Sequence, residues 1–239
     1  LKADVKVAMT GTPVENRLTE LWSIFDFINK GYLGSLREFQ KSYAIPIERF
    51  KEHSRANKLR MSISPFVLRR LKTDKHVISD LPEKMVLNEY CYLSKVQAVL
   101  YEKTLNEMMT KISGFTGVNR RGNIFKLITA LKQICNHPYQ FLKSGEMGRE
   151  LSGKMEKCID LVQSIIDNGE KTLIFTQYKE MGDILCKVIN QECGTDPLFF
   201  HGSLTVPQRE ELIERFQTDP EAKVMILSLK AGGTGLNLT

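Results

Sequence analysis

The chain has 239 residues, 42% hydrophobic and 26% charged, with 34 basic against 28 acidic side chains and a net charge of +6. That composition excludes disordered and collagen-like chains and leaves room for one large domain or two small ones. The charge is concentrated: residues 49–75 hold nine basic and two acidic residues, so the remainder is close to neutral.

Along the chain, residues 5–9 (VKVAM) spell one short apolar strand. The next region is helical. Leu18, Leu21, Trp22, Phe25 and Ile28 form a stripe that Gly31 or Gly34 ends. Helical patterns return at 36–43, 96–112 and 124–135, and Gly114, Gly117 and Gly122 with Asn119, Arg120 and Arg121 read as a mobile basic loop. Residues 143–153 are polar and glycine-rich, and a domain boundary falls there. Beyond it, helix and strand alternate. Met155, Cys158, Ile159, Val162, Ile165 and Ile166 give a helix, and residues 171–176 (KTLIFT) a strand. Met181, Ile184, Leu185, Val188 and Ile189 give a second helix, and residues 197–200 a second strand. Thr205 and Gln208 form a capping box with Pro207 in the first turn, ahead of a helix carrying Leu212, Ile213 and Phe216. Residues 223–229 (KVMILSL) give a third strand. Strands about 25 residues apart with helices between them predict a parallel sheet covered on both faces. Ligands of such sheets bind beyond the strand C-termini. The loops to watch are therefore 176–178, 201–203 and 230–238.

Five cysteines, Cys91, Cys135, Cys158, Cys186 and Cys193, show no zinc-ribbon or redox spacing. They read as free, mostly buried thiols of a reducing compartment. No apolar run is long enough to cross a bilayer, and no secretory pattern opens the chain. A soluble, intracellular protein is expected. The start at Leu1 and the stop at Thr239 inside a glycine-rich stretch read as the ends of a fragment.

Residues 231–239 (AGGTGLNLT) pack three glycines into four positions, more than a simple turn needs, and suit close backbone approach to an anion. Gly148 and Gly153-Lys154 have phosphate-loop spacing, but Met155 follows where a hydroxyl is required and no strand precedes. No phosphate loop and no Mg²⁺-binding acidic pair is visible, so the chain alone is not expected to hydrolyse ATP. The basic stretch 49–75 is either a solvated face or a phosphate contact. His137, before Pro138, reads as a buried cap. His201 sits at a strand end, where a phosphate could face it.

The motifs then fall into one order. Residues 9–16 (MTGTPVEN) followed by 20–27 (ELWSIFDF) resemble helicase motif III of the Swi/Snf-type ATPases, the double-stranded-DNA translocases of helicase superfamily two. Residues 64–70 (SPFVLRR), 80–84 (DLPEK), 131–138 (LKQICNHP) and 152–154 (SGK) resemble the signatures between that family's motifs. Residues 174–178 (IFTQY) are similar to motif IV, His201-Gly202-Ser203 with Arg209 and Phe216 to the next motif, and 228–239 (SLKAGGTGLNLT) to motif V.

The resemblance implies an α/β fold: a RecA-like parallel sheet with helices on both faces plus a helical insertion, the protrusion. It implies that residues 1–13 are the last strand and motif III of a first lobe, 14–145 the protrusion and linker, and 146–239 a second RecA-like lobe short of motif VI. It implies ATP and Mg²⁺, bound mainly by the first lobe, and a sequence-independent grip on double-stranded DNA. A protein substrate on that DNA is a further implied partner. By motif match, Thr10, Gly11, Thr12 and Pro13 would couple nucleotide state to DNA grip. Thr176, Gln177, Gly202, Ser203, Ser228 and Lys230 would face the DNA backbone. Gly232, Gly233 and Asn237 would lie nearest the nucleotide. A binding module without enzymatic activity, docking protein or nucleic acid on its sheet, is the alternative. A Rossmann-type enzyme would need its glycines after the first strand instead of the last.

Overall fold

The computed structural model describes residues 3–70, 84–232, 236 and 238. The chain divides into two compact units, Leu1–Leu87 and Asn88–Thr239.

The first unit is helical. Helix α1 (Leu18–Ile28) buries Leu21 and Phe25 on one stripe. The Glu20 carboxylate accepts the N–H of Glu15 at 2.6 Å, of Asn16 at 3.2 Å and of Arg17 at 3.3 Å, and these bonds hold its pKa below the usual range. Gly31 and Gly34 take φ of +80° and +74° in the turn that follows, and the indole N–H of Trp22 donates to the Gly34 carbonyl at 3.0 Å. Ser35 and Glu38 cap α2 (Leu36–Phe39), which runs through a π-helical turn (Gln40–Ala44) into α3 (Ile45–Phe50). Helix α4 (His53–Ile63) adds Leu59, so Leu21, Phe25, Phe39, Ala44 and Leu59 make one small core. Phe66 packs edge-on to Tyr32 at 4.8 Å, while Val67 and Leu68 stay exposed. The cations from Arg49 to Arg70 are exposed, with Arg55 facing Glu52 at 3.8 Å. Lys72, Lys75 and most of the 80–84 motif lie outside the described residues.

Residues 5–9 depart from the expected strand. They form no ladder, and Val5 and Met9 are 79% and 93% exposed. A strand exists only through its partners' hydrogen bonds, and among the described residues of the first unit no strand lies beside this segment.

The second unit begins with the antiparallel hairpin of α5 (Lys95–Ser113) and α6 (Gly117–Asn136). The mobile basic loop expected at 114–122 shrinks to residues 114–116. Asn119, Arg120, Arg121 and Gly122 are helical although all four are exposed; α6 is anchored further along by buried Leu127, Ala130 and Ile134, and its first turns extend from there despite the ~1 kcal/mol that an interior glycine costs. Short α7 (Pro138–Leu142) leads to α8 (Gly153–Asp167). Strands β1 (Thr172–Thr176), β2 (Leu198–Phe200) and β3 (Val224–Ser228) form a parallel sheet in the order β1-β3-β2, pairing Thr176 with Ser228 and Phe200 with Leu227. Between them run α9 (Lys179–Cys193) and α10 (Val206–Thr218), and α11 (Leu229–Gly232) follows β3. The expected α/β architecture is present. Val224 and Ile226 face a core with Ile159, Ile184 and Val188 of α8 and α9. Met225 and Leu227 face the other way, onto Phe200 and Phe216 of the α10 side. All five residues of β3 are buried, as a central strand covered on both faces requires.

Behind the sheet sits a buried polar joint. His137 is fully buried and caps α7: its Nδ1 accepts the Tyr139 N–H at 3.1 Å, and its Nε2 lies 3.1 Å from the Gly148 carbonyl, which places the proton on Nε2. The capping role expected from the sequence is the one it fills. Burial holds its pKa below the ordinary value, so the native state binds fewer protons than the unfolded chain. Its contribution to stability is complete above pH ~6.5 and is lost as pH falls through the lowered native value. The urea midpoint is expected to drop as the solution is acidified below that point. In His137→Gln, whose amide does not titrate, the same fall is expected to be shallower. An equally steep fall in both proteins would assign the acid sensitivity elsewhere.

Candidate nucleic-acid interface

Because the three strands are parallel, their C-termini share one edge. There the tips 176–178, 201–203 and 228–230 meet. Gln177, Gly202, Ser203, Ser228 and Lys230, drawn from all three tips, line one cavity of about 530 Å³. Thr176 faces a neighbouring cavity of about 720 Å³, and Gln177 lines both. Thr176 is only 8% exposed, and its hydroxyl lies 3.4 Å from both the N and the O of Tyr178, which fixes the β1 tip.

Two further cations belong to the 530 Å³ cavity. Lys179 opens α9, and Arg209 lies one turn into α10. Arg209 donates from Nη2 to the Gly202 carbonyl at 3.0 Å, and its guanidinium sits 5.6 Å from the Phe200 ring centre. Its Nε–H is buried without a hydrogen-bond partner among the described residues. Among the described residues, Glu210 is the one acidic lining residue against Lys179, Arg209 and Lys230. A buried guanidinium N–H with no acceptor is costly, and an anion in the cavity would supply the acceptor. The sequence reading placed Arg209 in a motif but gave it no role. The signal was its position four residues after the capping Thr205, which turns its side chain back toward the loop. Lys179 was missed altogether, although it follows the β1 tip directly.

His201 closes the rim. Its Nδ1 accepts the Ser203 N–H at 3.3 Å, so Nε2 carries the proton in the neutral ring. Burial first, and then the charge of Lys179, holds its pKa below the ordinary value, with Asp183 opposing and Arg209 reinforcing.

Gly232 does not line this cavity. It packs against β3, where a Cβ would lie 3.0 Å from the Leu227 side chain. Gly233 and Asn237 lie outside the described residues. Thr10, Gly11, Thr12 and Pro13 are exposed in the first unit, with the Thr12 N–H on the Thr10 hydroxyl at 3.1 Å.

The residues present do not fit a nucleotide phosphate cradle at 148–154. The Gly153 N–H is taken by Gln97 at 3.3 Å, and the space beside its α-carbon is filled by the Tyr92 carbonyl, an acceptor where phosphate needs donors. Among the described residues, no group of His, Cys, Asp or Glu could hold a metal ion, and no helix is long and apolar enough to cross a membrane.

Residues 1–140 match the SNF2-related domain, and residues 153–239 match the helicase conserved C-terminal domain. The chain belongs to the Swi/Snf-type ATPase family. Among solved structures it is similar to the Sulfolobus solfataricus SWI2/SNF2 ATPase core domain, with a TM-score of 0.62 and 41% identity over 96% of this chain and 47% of that one. The same core in complex with dsDNA matches with a TM-score of 0.59 and 40% identity over 91% of this chain and 46% of that one. YwqA of Bacillus subtilis, provisionally named an ATP-dependent helicase/translocase, is 46% identical over the whole chain and 26% of its own length. The yeast DNA repair and recombination protein RAD26 is 34% identical over the whole chain and 23% of its own length. The chain thus spans about a quarter of the curated relatives it matches.

Proposed function

We propose that this Swi/Snf-family chain supplies the DNA-gripping second lobe of an ATP-dependent double-stranded-DNA translocase. The observation that carries the reading is the shared strand-tip cavity, where hydroxyls, Lys179, Lys230 and the Arg209 Nε–H, without an acceptor among the described residues, converge. A translocase has to hold the duplex at any sequence, so its contacts go to phosphates. Lys179, Arg209 and Lys230 neutralise the phosphate. Ser203 and Ser228 offer hydroxyls, and the bare Gly202 lets the rail come close to the main chain. Arg209 fixes the 201–203 loop through Gly202, so these donors wait in place before DNA arrives.

Thr10, Gly11, Thr12 and Pro13 fit the coupling of nucleotide state to this grip, and Gly232, Gly233 and Asn237 fit the side nearest the nucleotide. ATP and Mg²⁺ are assigned mainly to a first lobe, and turnover to the complete protein, acting wherever the cell keeps its DNA. The chain alone is expected to bind duplex DNA weakly and to leave ATP intact. The domain reading puts residues 1–13 with the first lobe, 14–145 in the protrusion and linker, and 146–239 in the second lobe.

Binding of this chain to a short duplex of arbitrary sequence, titrated with salt, tests the grip. Three phosphate-neutralising cations give an expected slope of log K against log salt of about −3. Arg209→Met is expected to lower the magnitude of that slope by about one. A salt-independent affinity would rule out phosphate gripping and leave protein docking on the sheet.

A further inference from the structure

Residues 88–94 carry the chain into the second unit without helix or ladder. Their aromatic side chains do not anchor them, since Tyr90 and Tyr92 are almost fully exposed. The segment is held instead by a charge pair and by its main chain. Glu89 pairs with Lys157 of α8 at 3.3 Å. The Tyr92 carbonyl lies against the α-carbon of Gly153, where an added Cβ would collide with its oxygen and sit 3.2 Å from its carbon. The Ser94 hydroxyl donates to the Leu151 carbonyl at 2.8 Å. The Ser94 N–H donates to Gln97 Oε1 at 3.0 Å, and the same oxygen accepts the Gly153 N–H at 3.3 Å. Gln97 is fully buried, and its Nε2 donates to the Ile134 carbonyl at the end of α6 at 2.7 Å.

We infer that Gly153 and Gln97 form a seat that fixes where the chain enters the second unit, making both positioning residues for the DNA step. An unseated stretch of this length could pay out up to about 23 Å of extended chain. Seated, it passes displacement on to α8 and the sheet beyond. Gly153 has no left-handed φ to accommodate; the approach of the Tyr92 carbonyl is what excludes a side chain there. The glycine that imitates a phosphate loop in the sequence is thus a mechanical contact.

The inference rests on the translocase reading, and the test separates the two. In the complete protein, DNA-stimulated ATPase and movement along a duplex, read by displacement of a third strand, are measured together. Gly153→Ala is expected to keep the ATPase rate within about twofold and lower movement per ATP about tenfold, as hinge-type positions do. Glu89→Lys, at an exposed ion pair, is expected to lower movement per ATP in the same direction, and adding Lys157→Glu to restore it. That rescue is not expected of a general loss of stability. If Gly153→Ala does not fold, the charge-reversal set decides alone. A DNA-stimulated wild type whose movement per ATP is unchanged in Gly153→Ala, or unrescued in the double reversal, overturns the seat. A wild type whose ATPase ignores DNA overturns the translocase reading and the seat with it.

Discussion

Replacing Lys230 and Thr176 together by alanine is expected to raise the DNA concentration needed for half-maximal ATPase stimulation by at least tenfold in the complete protein, while basal ATPase stays within about twofold. Lys230 contributes an exposed cation at the β3 tip, and a charged hydrogen bond to phosphate is worth about 1.5–3 kcal/mol. Thr176 acts differently. Its hydroxyl holds the Tyr178 main chain, so its loss lets the β1 tip wander and misplaces Gln177. Steady-state ATPase with and without duplex separates the two quantities. Equal loss of basal and stimulated rates would move these residues from DNA grip to nucleotide chemistry.

Gln97→Leu is expected to cost the chain about 3–5 kcal/mol, read as a lowered urea midpoint. Leucine fills similar space but strips three main-chain groups of their partner: the part-buried Ser94 N–H and Gly153 N–H and the buried Ile134 carbonyl. Each orphaned group costs about 1–3 kcal/mol, and a shared low-dielectric pocket makes the costs compound. Ser152 is expected to limit the damage, because its hydroxyl still donates to the Asn136 carbonyl at 2.6 Å and caps α8. A loss below ~1 kcal/mol would mean that water enters and replaces the amide.

What the sequence disclosed follows from where the physics is local. Helix periodicity placed α1, α5, α8 and α9, and the capping box at Thr205 and Gln208 placed the start of α10, because both signals act within one or two turns. The parallel sheet was legible from strand spacing, since a crossover helix needs that length. The wrong elements were those decided by distant partners. Residues 5–9 have strand composition but no strand partner among the described residues, and Gly117 and Gly122 look like loop although they lie in the exposed first turns of a helix anchored further on by Leu127, Ala130 and Ile134. The candidate interface was half visible. Motif order pointed to the three tips, yet Lys179 and Arg209 enter through helix geometry that no short motif spells out. Gln97 showed only the capping-box spacing after Ser94; its contacts 37 and 56 residues away left no trace in the sequence.

The π-helical turn at Gln40–Ala44 has a consequence for how the first unit can vary. Its Ile45 N–H reaches back five residues to the Gln40 carbonyl, so Phe39 and Ala44, five apart, are both buried in the same small core. Such a bulge amounts to a single residue spliced into an ordinary helix. Shortening the segment by one would restore regular winding but swing Ala44 away from Phe25 and Leu59, so this helix can lose a residue only by surrendering a packing partner.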